Sequence, residues 1–376
     1  MKKAAIETIS KEFLLSNYGS FFQHWSLRAV LKKNGFDVFR IPGKQESSLE
    51  RNLIYEFLYR FASVFWHVFR WGKKLKEELR QSICLFRGKC RFLTDYRRLI
   101  GEVNETFSLA DVQLLIGGSD QMWNAKMFHV FRPNLKAAKI TYAASGDWKK
   151  LSQDQELLSL MERDLPSYVA VSVREKAGVS IVGRYKENVF HAIDPVFLHS
   201  KEDYYSLIST KKVFRNPTLV CYFVNIHDKD NISILYWQRF ADILGVKLKF
   251  IGLQGAEKFI PLALNKRPSP GDFLRYFRDA DYVVTNSFHG TVFALLMNKK
   301  FVCIKQKELP GASQNVRCEE LLVGLGLQDR YLPIDSLEHD IMSIINEDIN
   351  YKVVNNNIAK WREESLNWLT NILNAI

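Results

Sequence analysis

Short runs of apolar, β-branched residues recur along this chain, each followed by an amphipathic stretch, and that alternation constrains the fold more than any other feature. A run of four to six apolar residues suits a strand buried on both faces, as in a parallel sheet covered by helices. The first unit comprises a strand over residues 4–9, a turn at Asn17-Tyr18-Gly19-Ser20, a helix over 21–33 stopped by Asn34-Gly35, and a strand over 37–41. Further strands are expected at 112–116, 140–144, 169–173 and 189–193, closing a Rossmann-like domain near Asp194-Pro195. After the polar stretch 200–216 a second series follows, with strands at 219–224, 247–251, 282–285 and 301–304. One of its helices opens at Ser269-Pro270-Gly271-Asp272, with proline early and an acid in the first turn. At 376 residues the chain is too long for one comfortable core. The predicted fold class is α/β, with two Rossmann-like domains, 1–198 and 199–355, facing a central cleft. A terminal segment, 356–376, carries a helix over 358–373 that packs back across the junction.

Between about 49 and 98 the alternation stops and the first domain carries a helical insert. Within 49–80, Leu49, Leu53, Phe57, Phe61, Val64 and Phe65 recur at spacings of three and four, continued by Val68 and Phe69. Arg51, Arg60, His67, Arg70, Lys73 and Lys74 take the other side. Such a helix suits the headgroup region of an anionic inner leaflet, each basic residue adding about 1 kcal/mol. It equally suits a helical hairpin packed on the first domain.

Lysine and arginine exceed the acids by 12, an excess that attracts phosphate on a small substrate, a nucleic acid or a lipid surface without choosing among them. The basic residues are dispersed and no nucleic-acid motif is recognised, so no nucleic-acid partner is expected. Five scattered cysteines without a Cys-x-x-Cys pair read as reduced thiols. The amino terminus has charges where a signal peptide needs an apolar core, and no window approaches a membrane span. The expected location is the cytoplasm, with peripheral attachment at the inner face of the cytoplasmic membrane if the insert binds lipid.

The most informative turn is Ser287-Phe288-His289-Gly290, between the strand at 282–285 and an apolar helix over 291–297. In a parallel sheet such a turn lies at the carboxyl end of the strands, where the start of the next helix favours an anion. An imidazole there can exchange a proton near neutral pH. Three more polar clusters sit at expected strand or helix ends: Gly117-Gly118-Ser119-Asp120-Gln121-Met122-Trp123-Asn124, Ser172-Val173-Arg174-Glu175-Lys176, and Asn315-Val316-Arg317.

Together these blocks resemble the polysaccharide pyruvyl transferase family. The resemblance is carried by Asn17-Tyr18-Gly19, Gly118-Ser119-Asp120-Gln121-Met122-Trp123-Asn124, Tyr142-Ala143-Ala144-Ser145, Ser172-Val173-Arg174-Glu175 and Asp194-Pro195-Val196-Phe197-Leu198. Ser287-Phe288-His289-Gly290-Thr291 and Asn315-Val316-Arg317 continue it in the same order. It implies a fold similar to the B-type glycosyltransferases and transfer of pyruvate from phosphoenolpyruvate to two sugar hydroxyls as a cyclic ketal. Phosphoenolpyruvate, a co-substrate, is a small polyanion that calls for two cationic anchors, for which Arg174 and Arg317 are the candidates, with Lys305 behind them. Protonated His289 is the candidate general acid and Asp120 the candidate base, Asp194 standing second. Asn286, Ser287 and Gly290 are candidates for holding phosphate, and Asn17, Gln121 and Trp123 for lining the acceptor side. No cofactor and no metal is expected, since no His/Asp/Glu cluster has metal-ligand spacing. The expected partner is a sugar acceptor in a surface-polysaccharide precursor, with a polyprenyl diphosphate as its candidate carrier. A nucleotide-sugar-dependent glycosyltransferase would share the architecture and is the alternative.

Overall fold

The computed structural model describes residues 1–7, 17–41, 72–101, 108–123, 135–226, 233–252, 267–307, 315–333, 335–336 and 338–376. The first half is built on strands β1 (Lys2–Glu7), β2 (Phe36–Arg40), β3 (Leu114–Gly118) and β4 (Ala138–Tyr142), paired in parallel in the order β2-β1-β3-β4. Two short strands, β5 (Ser172–Val173) and β6 (Phe190–His191), pair with each other and extend the sheet past β4 through bridges from Ile140 to Ala170 and from Ala144 to Val173. Around them lie helices α1 (Tyr18–Lys33), α2 (Gly72–Leu99), α3 (Trp148–Leu151), α4 (Gln155–Asp164), α5 (Lys176–Val182) and α6 (Lys201–Ser206).

The second half holds β7 (Thr218–Phe223), β8 (Lys247–Gly252), β9 (Tyr282–Thr285), β10 (Lys300–Ile304) and β11 (Tyr331–Leu332), all parallel, in the order β11-β10-β9-β7-β8. Its helices are α7 (Ile234–Ile243), α8 (Pro270–Asp279), α9 (Phe288–Leu296), α10 (Asn315–Gly324) and α11 (Glu338–Asn346). Every residue of β7 is buried, because this strand lies inside the sheet with helices on both faces. In each half the chain steps from an inner strand to one side and then crosses to the other, between β1 and β3 and again between β7 and β9. The crevice outside the carboxyl ends of such a switch point is where open α/β sheets place ligands.

The halves are joined by apolar packing around α1, which is buried along nearly its whole length. Tyr18 stacks on Phe273 at 4.3 Å between ring centroids, Phe22 meets Phe293 at 5.1 Å, and the Tyr18 hydroxyl donates to the Pro268 carbonyl at 2.7 Å. A helix this deeply buried still carries Ser20, Gln23, His24, Ser26 and Arg28, and buried polar groups need partners. Two of those partners are catalytic candidates.

The sequence-based boundaries shift in places. The expected turn at 17–20 is the first turn of α1, capped by Asn17, whose side chain accepts from the Ser20 amide at 3.3 Å. The final helix is longer than its apolar stripe suggested: α12 spans Tyr351–Ala375. Its Val354 and Ile358 join a core shared with Cys318 and Leu322, while Leu369 and Leu373 join the core of the first sheet with Ala4 and Ile6. Trp368 stacks on Phe190 at 5.0 Å, so α12 touches both halves. The apolar stripe from Leu49 to Phe69 and Arg51, Arg60, His67 and Arg70 opposite it lie outside the described residues. From Gly72 the insert is helical, and Phe92 of α2 packs on Tyr18 and Phe21. Among the described residues no helix is long and apolar enough to cross a membrane.

Candidate active site

The turn after β9 is held by its own side chains. Ser287 caps α9, its hydroxyl accepting from the Gly290 amide at 3.4 Å. The Ser287 amide donates to Thr285 Oγ1, which itself donates to the Tyr222 carbonyl at 2.6 Å. Asn286 ties the turn to the end of β7, accepting from the Val224 amide at 2.8 Å and donating to its carbonyl at 2.9 Å. Gly290 permits this closeness, since a Cβ there would lie 2.1 Å from Thr285 Oγ1. The rigid turn presents His289 toward the first half, where Gly19 of α1 lies against its ring.

His289 Nε2 stands 3.6 Å from Asp194 Oδ2, an ionic contact beyond hydrogen-bond reach, and this nitrogen has no hydrogen-bond partner. The same oxygen accepts from Arg174 Nη1 and from Gln23 Nε2, each at 2.7 Å, while Asp194 Oδ1 accepts from the Val196 amide at 3.0 Å. Burial alone would raise the Asp194 pKa, but the His289 imidazole, Arg174 and the Val196 amide outweigh it and hold the carboxyl well below its ordinary range. Asp194 is therefore a fixed anion, a poor proton acceptor and a good orienting group.

Arg174 lies at the end of β5, buried and held on two sides. Its Nε donates to Glu175 Oε1 at 3.1 Å and its Nη1 to Asp194, while Nη2 is buried without a partner. Burial disfavours the charge, yet Glu175 and Asp194 outweigh that penalty and raise the pKa above its usual value. Glu175 is fixed in turn by Ser145 Oγ at 2.6 Å and Trp148 Nε1 at 2.8 Å. The guanidinium carbon of Arg174 sits 4.4 Å from the centre of the Phe288 ring and that of Arg317 sits 5.8 Å from it. Burial and the nearby Arg174 charge depress the Arg317 pKa, partly offset by Asp120 and Glu175. Asp194, Glu175 and Asp120 offset the charge of these two guanidiniums. A cavity of about 210 Å³ lies here, lined by Arg174, Asp194, Phe288 and Arg317 and by Trp361 and Glu364 of α12.

Asp120 follows β3 in a backbone with positive φ at two successive non-glycine residues, Ser119 at 47° and Asp120 at 69°. Its Oδ2 accepts from Ser20 Oγ at 2.5 Å and its Oδ1 from the Gln121 amide at 3.0 Å. The carboxylate is close enough to act electrostatically on Arg174 and Arg317.

The structure thus brings His289, Arg174, Arg317, Asp194 and Asp120 together and disperses several other candidates. Trp123 is a core residue: its indole donates to the Ala144 carbonyl and its ring packs 5.7 Å from Trp148, so it offers no open face to a sugar. Asn286 and Ser287 spend their side chains on the turn itself, which displaces the expected phosphate-holding role, and Gly290 serves close packing. Asn17 is a helix cap, and Gln121 stays partly exposed beside Asp120. Lys305 lines a different cavity from Arg174 and Arg317, with its ammonium 5.0 Å from the Tyr331 ring centre. Gln23, Ser20 and Trp361 were missed. Gln23 and Ser20 had a weak signal, being polar residues three apart on one side of the helix.

These features define an α/β protein of the B-type glycosyltransferase arrangement, with a buried imidazole, carboxylate and guanidinium cluster between its two Rossmann-like domains. The chain belongs to the polysaccharide pyruvyl transferase family, whose model matches residues 17–308, well over half of its length. No curated protein sequence matches it. In fold it is similar to UDP-GlcNAc 2-epimerase from Methanocaldococcus jannaschii, with a TM-score of 0.51 and 12% identity over 99% of this chain and 100% of the other. It is also similar to S. aureus MnaA in complex with UDP, with a TM-score of 0.50 and 10% identity over 100% of this chain and 98% of the other.

Proposed function

We propose that the protein transfers pyruvate from phosphoenolpyruvate to two hydroxyls of a sugar in a polysaccharide precursor, forming a cyclic ketal and releasing phosphate. The observation that carries this reading is the convergence of His289 and Arg174, from different halves, on one oxygen of Asp194. Arg174 and Arg317 hold the carboxylate and phosphate of the donor, the free Nη2 of Arg174 being the arm available to it. Asp194 and Glu175 hold the guanidinium by its Nη1 and Nε and so keep that arm aimed.

Protonated His289 delivers its proton to the methylene carbon, which becomes a methyl group, and positive charge develops at the neighbouring carbon. One sugar hydroxyl adds to that carbon as the phosphate bond breaks, and the second hydroxyl closes the ring. Of the two hydroxyl protons, one restores the imidazolium of His289 and the other leaves on phosphate. Asp120 takes the first hydroxyl proton and passes it on, and the fixed Asp194 stabilises the imidazolium. These steps call for no redox group. The reaction places the protein at the cytoplasmic face of the membrane if its acceptor is lipid-linked.

The test is phosphate release from phosphoenolpyruvate with saccharide acceptors, with product mass analysis. A product heavier by one pyruvate less water supports the reading. Saturation by uridine or guanosine diphosphate sugars, with glycosyl transfer and no dependence on phosphoenolpyruvate, overturns it.

A further inference from the structure

A second cavity, of about 280 Å³, opens in the second half and is lined from Phe223, Asn286 and Lys305, at the carboxyl ends of β7, β9 and β10. It flanks the same turn as the first cavity: Asn286 lines this one and Phe288 the other. This is the switch point of the second sheet, where the strand order turns from β8 to β9 about β7. Lys305 and Lys307 give it positive charge, with Asp335 as the carboxylate in its described lining. Phe223 and Trp237, 5.7 Å apart, form an apolar wall. Beside them the Tyr236 hydroxyl is shielded from solvent without a hydrogen-bond partner. Burial, reinforced by Glu338, pushes that hydroxyl up to about 12, so it remains a donor in need of an acceptor.

We propose that this cavity is the anion subsite of the acceptor, holding the diphosphate of a sugar diphosphate ester between Lys305 and Lys307, with Tyr236 donating to the ligand. The proposal rests on the pyruvyl-transfer reading. The two anionic groups of the donor are already matched by Arg174 and Arg317 in the first cavity, so a second cationic cavity calls for charge on the other substrate. Compact ammonium groups suit phosphate as point charges, and the apolar wall suits the C–H face of a sugar ring. A finished polysaccharide backbone offers no diphosphate. The acceptor is then a precursor still on its carrier, a polyprenol or a nucleoside.

The experiment is calorimetric binding, which needs no turnover and so separates this proposal from the reaction itself. Inorganic pyrophosphate, uridine-diphosphate N-acetylglucosamine and farnesyl-diphosphate N-acetylglucosamine are titrated into the full chain, then into Lys305→Gln/Lys307→Gln and Tyr236→Phe variants. Pyrophosphate affinity is expected to fall at least about tenfold in the double-lysine variant, with phosphoenolpyruvate affinity unchanged. At least one sugar diphosphate should bind more tightly than pyrophosphate, and the tighter one names the carrier. Tyr236→Phe should lose about threefold to tenfold for that ligand, consistent with one hydrogen bond. Displacement of pyrophosphate by phosphoenolpyruvate, equal loss of both in the lysine variant, or no gain from either sugar overturns the proposal.

Discussion

A Cβ on Gly19 would fall 2.0 Å from Nδ1 of His289, so the helix that opens the first half lies directly against the imidazole of the second. That contact fixes the ring where its Nε2 faces Asp194, and it explains why the residue beside Tyr18 has no side chain.

Gly19→Ala should therefore disable the enzyme through His289 without touching substrate. The methyl group cannot fit unless the ring or α1 moves, and such overpacking costs about 1–3 kcal/mol. A displacement of about 1 Å at a catalytic group lowers turnover roughly a hundredfold. Steady-state phosphate release and thermal unfolding on the same variant check both effects. Full activity would mean that the ring has room to spare.

Arg174→Lys should behave as a loss, although the charge is kept. An ammonium cannot donate to Glu175, Asp194 and a ligand in the forked geometry that the guanidinium holds. The expected result is a rise of about tenfold or more in KM for phosphoenolpyruvate with a folded protein, read from kinetics and circular dichroism. An unchanged KM removes Arg174 as an anchor.

Acid should unfold the protein partly through Asp194. Its pKa is depressed in the folded state, so the unfolded chain takes up the proton first as pH falls. The stability it contributes is complete above about pH 4, the ordinary carboxylate value, and is lost below that toward the folded pKa. Asp194→Asn should flatten this acid limb, while at pH 7 it costs about 3 kcal/mol because Arg174 loses a buried partner. Urea midpoints measured from about pH 3 to about pH 7 show whether the slope changes.

His24 gives the opposite kind of variant. It is buried in α1 with neither ring nitrogen hydrogen-bonded, and burial together with Arg40 and Arg28 holds its pKa well below the usual imidazole value. Its folded form is neutral, so stability is complete above about pH 6.5 and is lost as pH falls from there, by at most about 1.4 kcal/mol per pH unit. His24→Leu should match or exceed the parent at neutral pH and exceed it clearly near pH 5, measured by urea unfolding. A larger loss of stability at every pH would show that the ring is needed for packing.

Most strands were legible because each one carries its own burial pattern. The run Thr218–Phe223 is apolar enough to announce an inner strand, and β9 matches its expected bounds at both ends. β11 escaped notice because two residues carry no period. The turn around His289 was legible from its place between a strand and a helix. Asn286, Ser287 and Trp123 were read as ligand groups, but their side chains bond backbone: Asn286 that of Val224, Trp123 that of Ala144, and Ser287 the Gly290 amide of its own turn. Gln23 was overlooked for the converse reason, since nothing beside it in the chain marks Asp194 as its partner.

By itself the sequence determined where strands and helices form, which turn carries the imidazole and which family the chain belongs to, because periodicity and capping act over a few adjacent residues. Only the tertiary structure decided that Arg174 and His289 meet at one buried oxygen of Asp194, that Lys305 belongs to another cavity, and that α12 lines the first. Those outcomes depend on how the two halves dock through α1. A buried polar side chain pairs with whatever group the docking places opposite it, at any separation along the chain.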